Sequence, residues 1–166
     1  MKINSVLKMT ILLIVFFIPG LIDFKIIAQD VPVNLQAALF KKIFSFDKTL
    51  QAKGSFEVAV LGTGGDGVAS AFKEAGINAK AIAGEQVPGG FAVVYVMPGI
   101  TSTKSQTSSK GVLSISGESS FVESGKVAIA IGTEGGKPKI IVNMGQLKAE
   151  GQELSSELLK ISKVIQ

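Results

Sequence analysis

The residues that most resemble a chemical site form a glycine turn. Gly62, Thr63, Gly64, Gly65, Asp66 and Gly67 fit G-x-G-x-x-G, and Glu85 follows 18 positions after Gly67. Between a strand and a helix, such a turn brings backbone N–H groups close to a pyrophosphate. An acid about 20 residues on would take a ribose hydroxyl. Asp66, however, puts a negative charge where the pyrophosphate would lie. The preferred reading of Gly62–Gly67 is a tight strand-to-helix turn; a small-ligand pocket is the rival, and a dinucleotide site ranks behind both. Ser45 and Lys48 fit S-x-x-K. That dyad needs a desolvated lysine, and neither Ser-Asp-Asn nor Lys-Thr-Gly accompanies it, so these residues read as a polar helix exit. Asp66, Glu85, Glu118 and Glu123 have no spacing that pairs them on one helical face or builds a calcium loop. They read as solvated loop acids.

Composition narrows the chemistry further. The chain has 166 residues, with 17 basic side chains, all lysine, and 13 acidic ones. It contains no Arg, His, Cys or Trp. This removes the Ser-His-Asp triad, histidine metal ligation and a near-neutral imidazole switch. It also removes thiolate chemistry, disulfides and guanidinium forks for phosphate. Catalysis would fall to Lys, Asp, Glu, Ser, Thr or the single Tyr95. The expectation is a protein that is not an enzyme, with no catalytic, cofactor-binding or metal-binding residues.

Residues 1–28 read as an address. Lys2 and Lys8 precede an apolar stretch from Met9 to Ile22, which Asp23 and Lys25 close. The stretch is short of the roughly 20 residues that span a bilayer, and the pattern fits a secretory signal peptide cleaved near Ala28. An uncleaved anchor is the competing reading. Cleavage takes three lysines and one aspartate, lowering the net charge from +4 to +2. Such scattered charge does not suit nucleic acid. The expected location is the periplasm, or otherwise outside the cytoplasm.

These residues need a scaffold, and the pattern predicts one over 29–166. Leu35, Leu39, Ile43 and Phe46, widened by Phe40 and Phe44, predict an amphipathic helix over 33–46. Asp47 to Gly54 reads as a polar exit. Strands are expected at 56–61, 79–83, 91–97 and 112–116, with a helix over 66–75 that stops at Gly76. Pro98–Lys110 reads as a weak helix or a loop. The runs 126–131 and 139–142, joined by Gly132–Pro138, predict an antiparallel hairpin. Asn143 caps a short helix ending at Gly151. Ser155 or Ser156 opens a last helix with Leu154, Leu158, Ile161 and Ile165 on one face. The early alternation implies parallel strands. The expected fold is therefore one three-layer α/β domain: a mostly parallel sheet with helices on both faces, then a C-terminal antiparallel hairpin and two helices. Phe121 and Val122, in the polar Gly117–Gly125 loop, and Leu159, at the edge of the last stripe, are candidates for a partner or dimer surface. For each of the three, core packing is the plainer alternative.

The run KVAIAIGTEGGKPKIIVNMGQLKAEGQELSSELLKISKVI is more specific than this general pattern. It resembles the end of YfiR-family proteins, which have a hairpin, an Ile-Asn strand end, a short helix closing in Gly and a Leu-Ser-Ser helix. LQAALFKKIFSFDKTL, FEVAVLGTGG and VLSIS resemble the family's opening helix, first strand with its glycine turn, and late strand. The likeness covers 31–165. Many relatives have Trp-Pro where Phe46-Asp47 stands here, and well-known members carry cysteines that this chain lacks, so no redox regulation carries over. The resemblance implies a periplasmic repressor that binds the external sensor domain of an inner-membrane signalling protein, of diguanylate cyclase or histidine kinase type, and biases it to its inactive state. Homodimerisation is a further option. A small-ligand-binding module using the Gly62–Gly67 turn is the rival function.

Overall fold

The computed structural model describes residues 31–101, 103–108 and 110–166. Residues 1–28, expected to be a signal peptide, lie outside the described residues. Helix α1 (Val33–Phe44) starts after Pro32, where a missing N–H costs nothing. It buries Gln36, Ala37, Phe40, Ile43 and Phe44. The core-facing stripe is therefore rotated from the expected one: Leu35 is 42% exposed and Leu39 and Phe46 are only partly buried.

Asp47 to Gly54 is not a polar exit but a second helix, α2 (Lys48–Lys53). The Asp47 carboxylate accepts from the N–H groups of Thr49 at 2.9 Å and Leu50 at 3.1 Å. That is an N-cap, and it turns the chain so that Leu50 is fully buried.

β1 (Val58–Leu61), α3 (Gly65–Glu74) and β2 (Ala79–Ile82) form the first crossover unit. β3 (Val93–Val96) and β4 (Leu113–Ser116) follow, separated by a four-residue helix, α4 (Lys104–Thr107). Every residue of β1, β3 and β4 is buried, as expected of strands covered on both faces. α5 (Ser119–Glu123) lies in the segment expected to be a loop. β5 (Ile129–Glu134) and β6 (Lys137–Asn143) make the antiparallel hairpin. Its turn is tighter than expected, with only Gly135 and Gly136 between the strands, at φ 58° and 75°. Two successive positive φ values suit a hairpin's twist, and glycine reaches them without strain. Pro138 lies inside β6 one pair beyond the turn, where its nitrogen points away from β5 and no other strand adjoins it among the described residues, so its missing N–H breaks no ladder.

Asn143 caps α6 (Met144–Ala149) through the Gln146 N–H, and Ser155 caps α7 (Ser156–Ile161) through the Leu158 N–H. The expected final helix is cut short. Ser162 is extended, and Lys163–Ile165 forms β7, parallel to β6. Leu154 precedes the helix and bridges to Asp47. Ile165 therefore belongs to a strand, not to the helical stripe.

The seven strands run β2-β1-β3-β4-β5-β6-β7, parallel except for the β5–β6 pair. One face of the sheet packs Val58, Val60, Val93, Tyr95, Leu113 and Ile115 with α1, α3 and Leu158 of α7. The other packs Ala59, Leu61, Val94 and Val96 with Val122 of α5. The result is one three-layer α/β domain. Among the described residues no helix is long and apolar enough to cross a membrane.

Candidate functional site

The order β2-β1-β3 places the Gly62–Gly67 turn at the point where the chain direction of the winding reverses. In open α/β sheets, ligands settle beyond the carboxyl ends of the strands at that point. Here two of the turn's glycines are packed closely against the sheet. A Cβ on Gly62 (φ +117°) would lie 2.8 Å from the Met97 Cβ, and one on Gly65 would lie 2.9 Å from the Val60 side chain. Gly64, at φ +78°, is the N-cap of α3 and has open space around it. Thr63 and Asp66 are exposed. Asp66 lies in the first turn of α3, where a carboxylate complements the helix dipole and repels an incoming anion. The Glu85 carboxylate accepts from the Thr101 hydroxyl at 2.8 Å.

The other reactive types are also bound into the scaffold. The Ser45 hydroxyl donates to Lys42 O at 2.7 Å, while Lys48 forms an exposed ion pair with Glu153. They make no dyad. Glu123 pairs with Lys163 at 3.5 Å. The Tyr95 hydroxyl donates to Gln36 Oε1 at 2.8 Å, and burial pushes its pKa up to about 12. Gln36 in turn donates to Val31 O at 2.7 Å. Among the described residues no three His, Cys, Asp or Glu side chains are placed to hold a metal ion.

The three surface candidates differ. Val122 is fully buried in the core beneath α5, because a helical turn replaces the expected loop and points it inward. It is therefore no surface anchor. Phe121 is partly buried, with the Lys126 ammonium 3.8 Å from its ring centroid and donating onward to Ile100 O at 2.8 Å. Leu159 is partly buried against the main core.

Two buried acids went unanticipated. Glu150 is fully buried and accepts from the Ser114 N–H at 2.9 Å, the Ser114 hydroxyl at 2.5 Å and Gln146 Nε2 at 2.8 Å. Burial raises its pKa despite these bonds. Asp47 is fully buried as well, and its Oδ2 has no hydrogen-bond partner among the described residues. Burial again raises the pKa, against the lowering effect of the two N–H groups. The sequence did carry a cap signal at Asp47-Lys48-Thr49; for Glu150 it carried none.

The geometry thus defines an α/β domain whose polar groups tie its elements together. Residues 34–163 match the model of the YfiR/HmsC-like family, and the chain belongs to that family. No curated protein matches it. Among solved structures, its fold is similar to that of the ABC domain in complex with L-Trp from Streptococcus pneumonia, with a TM-score of 0.56 and 12% identity. That likeness covers 81% of this chain and 60% of the other. At such low identity it is a likeness of fold alone.

Proposed function

We propose that this chain is a periplasmic, non-enzymatic regulator that binds the external domain of an inner-membrane signalling protein and favours its inactive state. The partner class is a diguanylate cyclase or a histidine kinase. Membership of the YfiR/HmsC-like family over residues 34–163 carries this reading. The scaffold supports it: Ser45, Lys48, Glu85, Tyr95 and Glu150 all make contacts that build the fold. A binding protein acts on a two-state partner only through differential affinity for the two states. Reversing a strongly biased equilibrium takes about 5 kcal/mol of such difference, which a small interface with a few anchors can supply.

The test is crosslinking of the exported protein in cells, followed by identification of what it captures. An inner-membrane signalling protein, with raised output when this chain is deleted, is the expected result. Capture of no membrane protein, together with turnover of a metabolite by the purified chain, would overturn the reading.

A further inference from the structure

β2 is one margin of the sheet, with β1 as its only strand neighbour among the described residues. The Val58 N–H donates to Asn78 O at 2.8 Å and the Gly62 N–H to Ile82 O at 3.2 Å. Peptide groups alternate in direction along a strand. Asn78, Lys80 and Ile82 therefore turn theirs toward β1, and Ala79 and Ala81 turn theirs outward. An edge of this kind is a template for another strand unless something guards it. The exposed Lys80 guards it against a neutral or basic strand. An acidic strand would be attracted instead.

The surroundings of the edge share this preference. Lys73 of α3 and Lys80 line a cleft of about 660 Å³ that also touches Asn78 and Ala79, and Glu57 is its one lining carboxylate among the described residues. Ala79 and Ala81 pack on the α3 face of the sheet and Ile82 on the opposite face, so Lys73 and Lys80 flank the edge from its two sides. A second cleft, of about 360 Å³, adjoins the first through Ser55, Phe56 and Asn78. Phe44, Leu50, Phe56 and Ile77 give it an apolar lining, Lys41 stands beside them, and no carboxylate among the described residues lines it. The Phe44 and Phe56 rings meet edge to face, 5.4 Å apart.

The geometry points to a docking groove for an extended acidic segment of a partner protein. Its main chain pairs with the outward peptide groups of Ala79 and Ala81, its carboxylates lie beside Lys73 and Lys80, and one large apolar side chain enters the Phe44–Phe56 cleft. This is strand addition, in which backbone pairing supplies affinity and pockets supply selectivity. It rests on the reading of the chain as a binding protein and names the surface through which it binds.

The probe is a synthetic peptide rich in aspartate with one terminal phenylalanine, compared with the same peptide carrying lysine for every aspartate. The full exported chain should bind the first and not the second, and added salt should weaken binding. Reversing both charges, Lys73→Glu with Lys80→Glu, should weaken binding by about tenfold or more. Ala81→Pro should abolish it while sparing the fold, since the lost N–H belongs to no ladder. Lys160→Glu, on α7, is the control and should change nothing. If Ala81→Pro fails to fold, the charge-reversed protein carries the test. Equal binding of both peptides, no binding of either, or undiminished binding by the folded variants would overturn the groove. Crosslinking in cells separates the two readings. A membrane partner still captured by both folded variants sinks this surface and leaves the proposed function standing. Peptide binding without any captured membrane protein sinks the function and leaves the groove.

Discussion

Ser114 presents both its N–H and its hydroxyl to Glu150, 36 residues further along the chain, at 2.9 Å and 2.5 Å. The same hydroxyl accepts from the Ala128 N–H at 2.9 Å. One serine thus joins the start of β4, the approach to β5 and the end of α6.

Glu150→Ala should destabilise the domain by about 3 kcal/mol, because it leaves the buried donors of Ser114 and Gln146 without an acceptor. Urea unfolding at one fixed pH measures it. A loss below 1 kcal/mol, on the order of a surface change, would show that these bonds contribute little.

Stability should also depend on pH through Glu150. Its folded pKa lies above its unfolded value, so in the window between the two the native state holds more protons. Stability is then highest below the unfolded pKa and falls as pH rises through the folded one. Asp47 is raised in the same sense and adds to the effect. Glu150→Gln should flatten the slope above the ordinary carboxylate range, as read from urea midpoints at a series of pH values. An unchanged slope in that variant would refute the assignment.

Asp47→Ala should cost about 1–2 kcal/mol through the lost cap of α2. Asp47→Asn should cost less, since an amide oxygen can still accept from Thr49 and Leu50 while the buried charge is gone. Thermal melts of the two variants rank them; equal losses would contradict the capping role.

Tyr95, Gln36 and Gly117 should behave as one unit. A Cβ on Gly117 would lie 2.5 Å from Gln36 Oε1 and 2.7 Å from the Tyr95 hydroxyl. Tyr95→Phe should cost about 1–2 kcal/mol by orphaning Gln36 Oε1, and Gly117→Ala about 2 kcal/mol by overpacking. In the double variant the losses should fall short of additive, because the removed hydroxyl makes room for the methyl. Strict additivity would disprove the shared contact.

Gly62→Ala should destabilise more than Gly64→Ala. Both positions have positive φ, but only at Gly62 would the new Cβ meet Met97. On the proposed function, partner capture should survive Gly64→Ala. Loss of capture in a stably folded Gly64→Ala protein would return this turn to consideration as a binding site.

The alternation of strands and helices was readable because β1 and β3 are short apolar runs between glycine turns. The buried face of α1 differs from the expected one for a physical reason. Counting apolar residues favoured Leu35, yet Gln36 faces the core because the Tyr95 hydroxyl satisfies its amide. A buried polar residue with a distant partner is invisible to periodicity. Glu150 illustrates the same limit: its place beside Gly151 at a helix end carries no sign of burial, which rests on the distant Ser114 together with Gln146. β7 was hidden because Val164 and Ile165 continue an apolar helical spacing that the extended Ser162 breaks. At the glycine turn, sequence gave the backbone shape but not the contact with Met97, which decides how much space remains.

The latch between α2 and the segment before α7 has a kinetic consequence. Asp47 bridges Leu154, the Lys48 N–H reaches Glu153 O at 2.9 Å, and the Thr49 hydroxyl reaches Gly151 O at 3.2 Å. Such closures between distant parts of a chain slow folding, since the loop entropy is lost before the contacts form. While it is being made, the polypeptide must wait for residues 151–154 before α2 can lock.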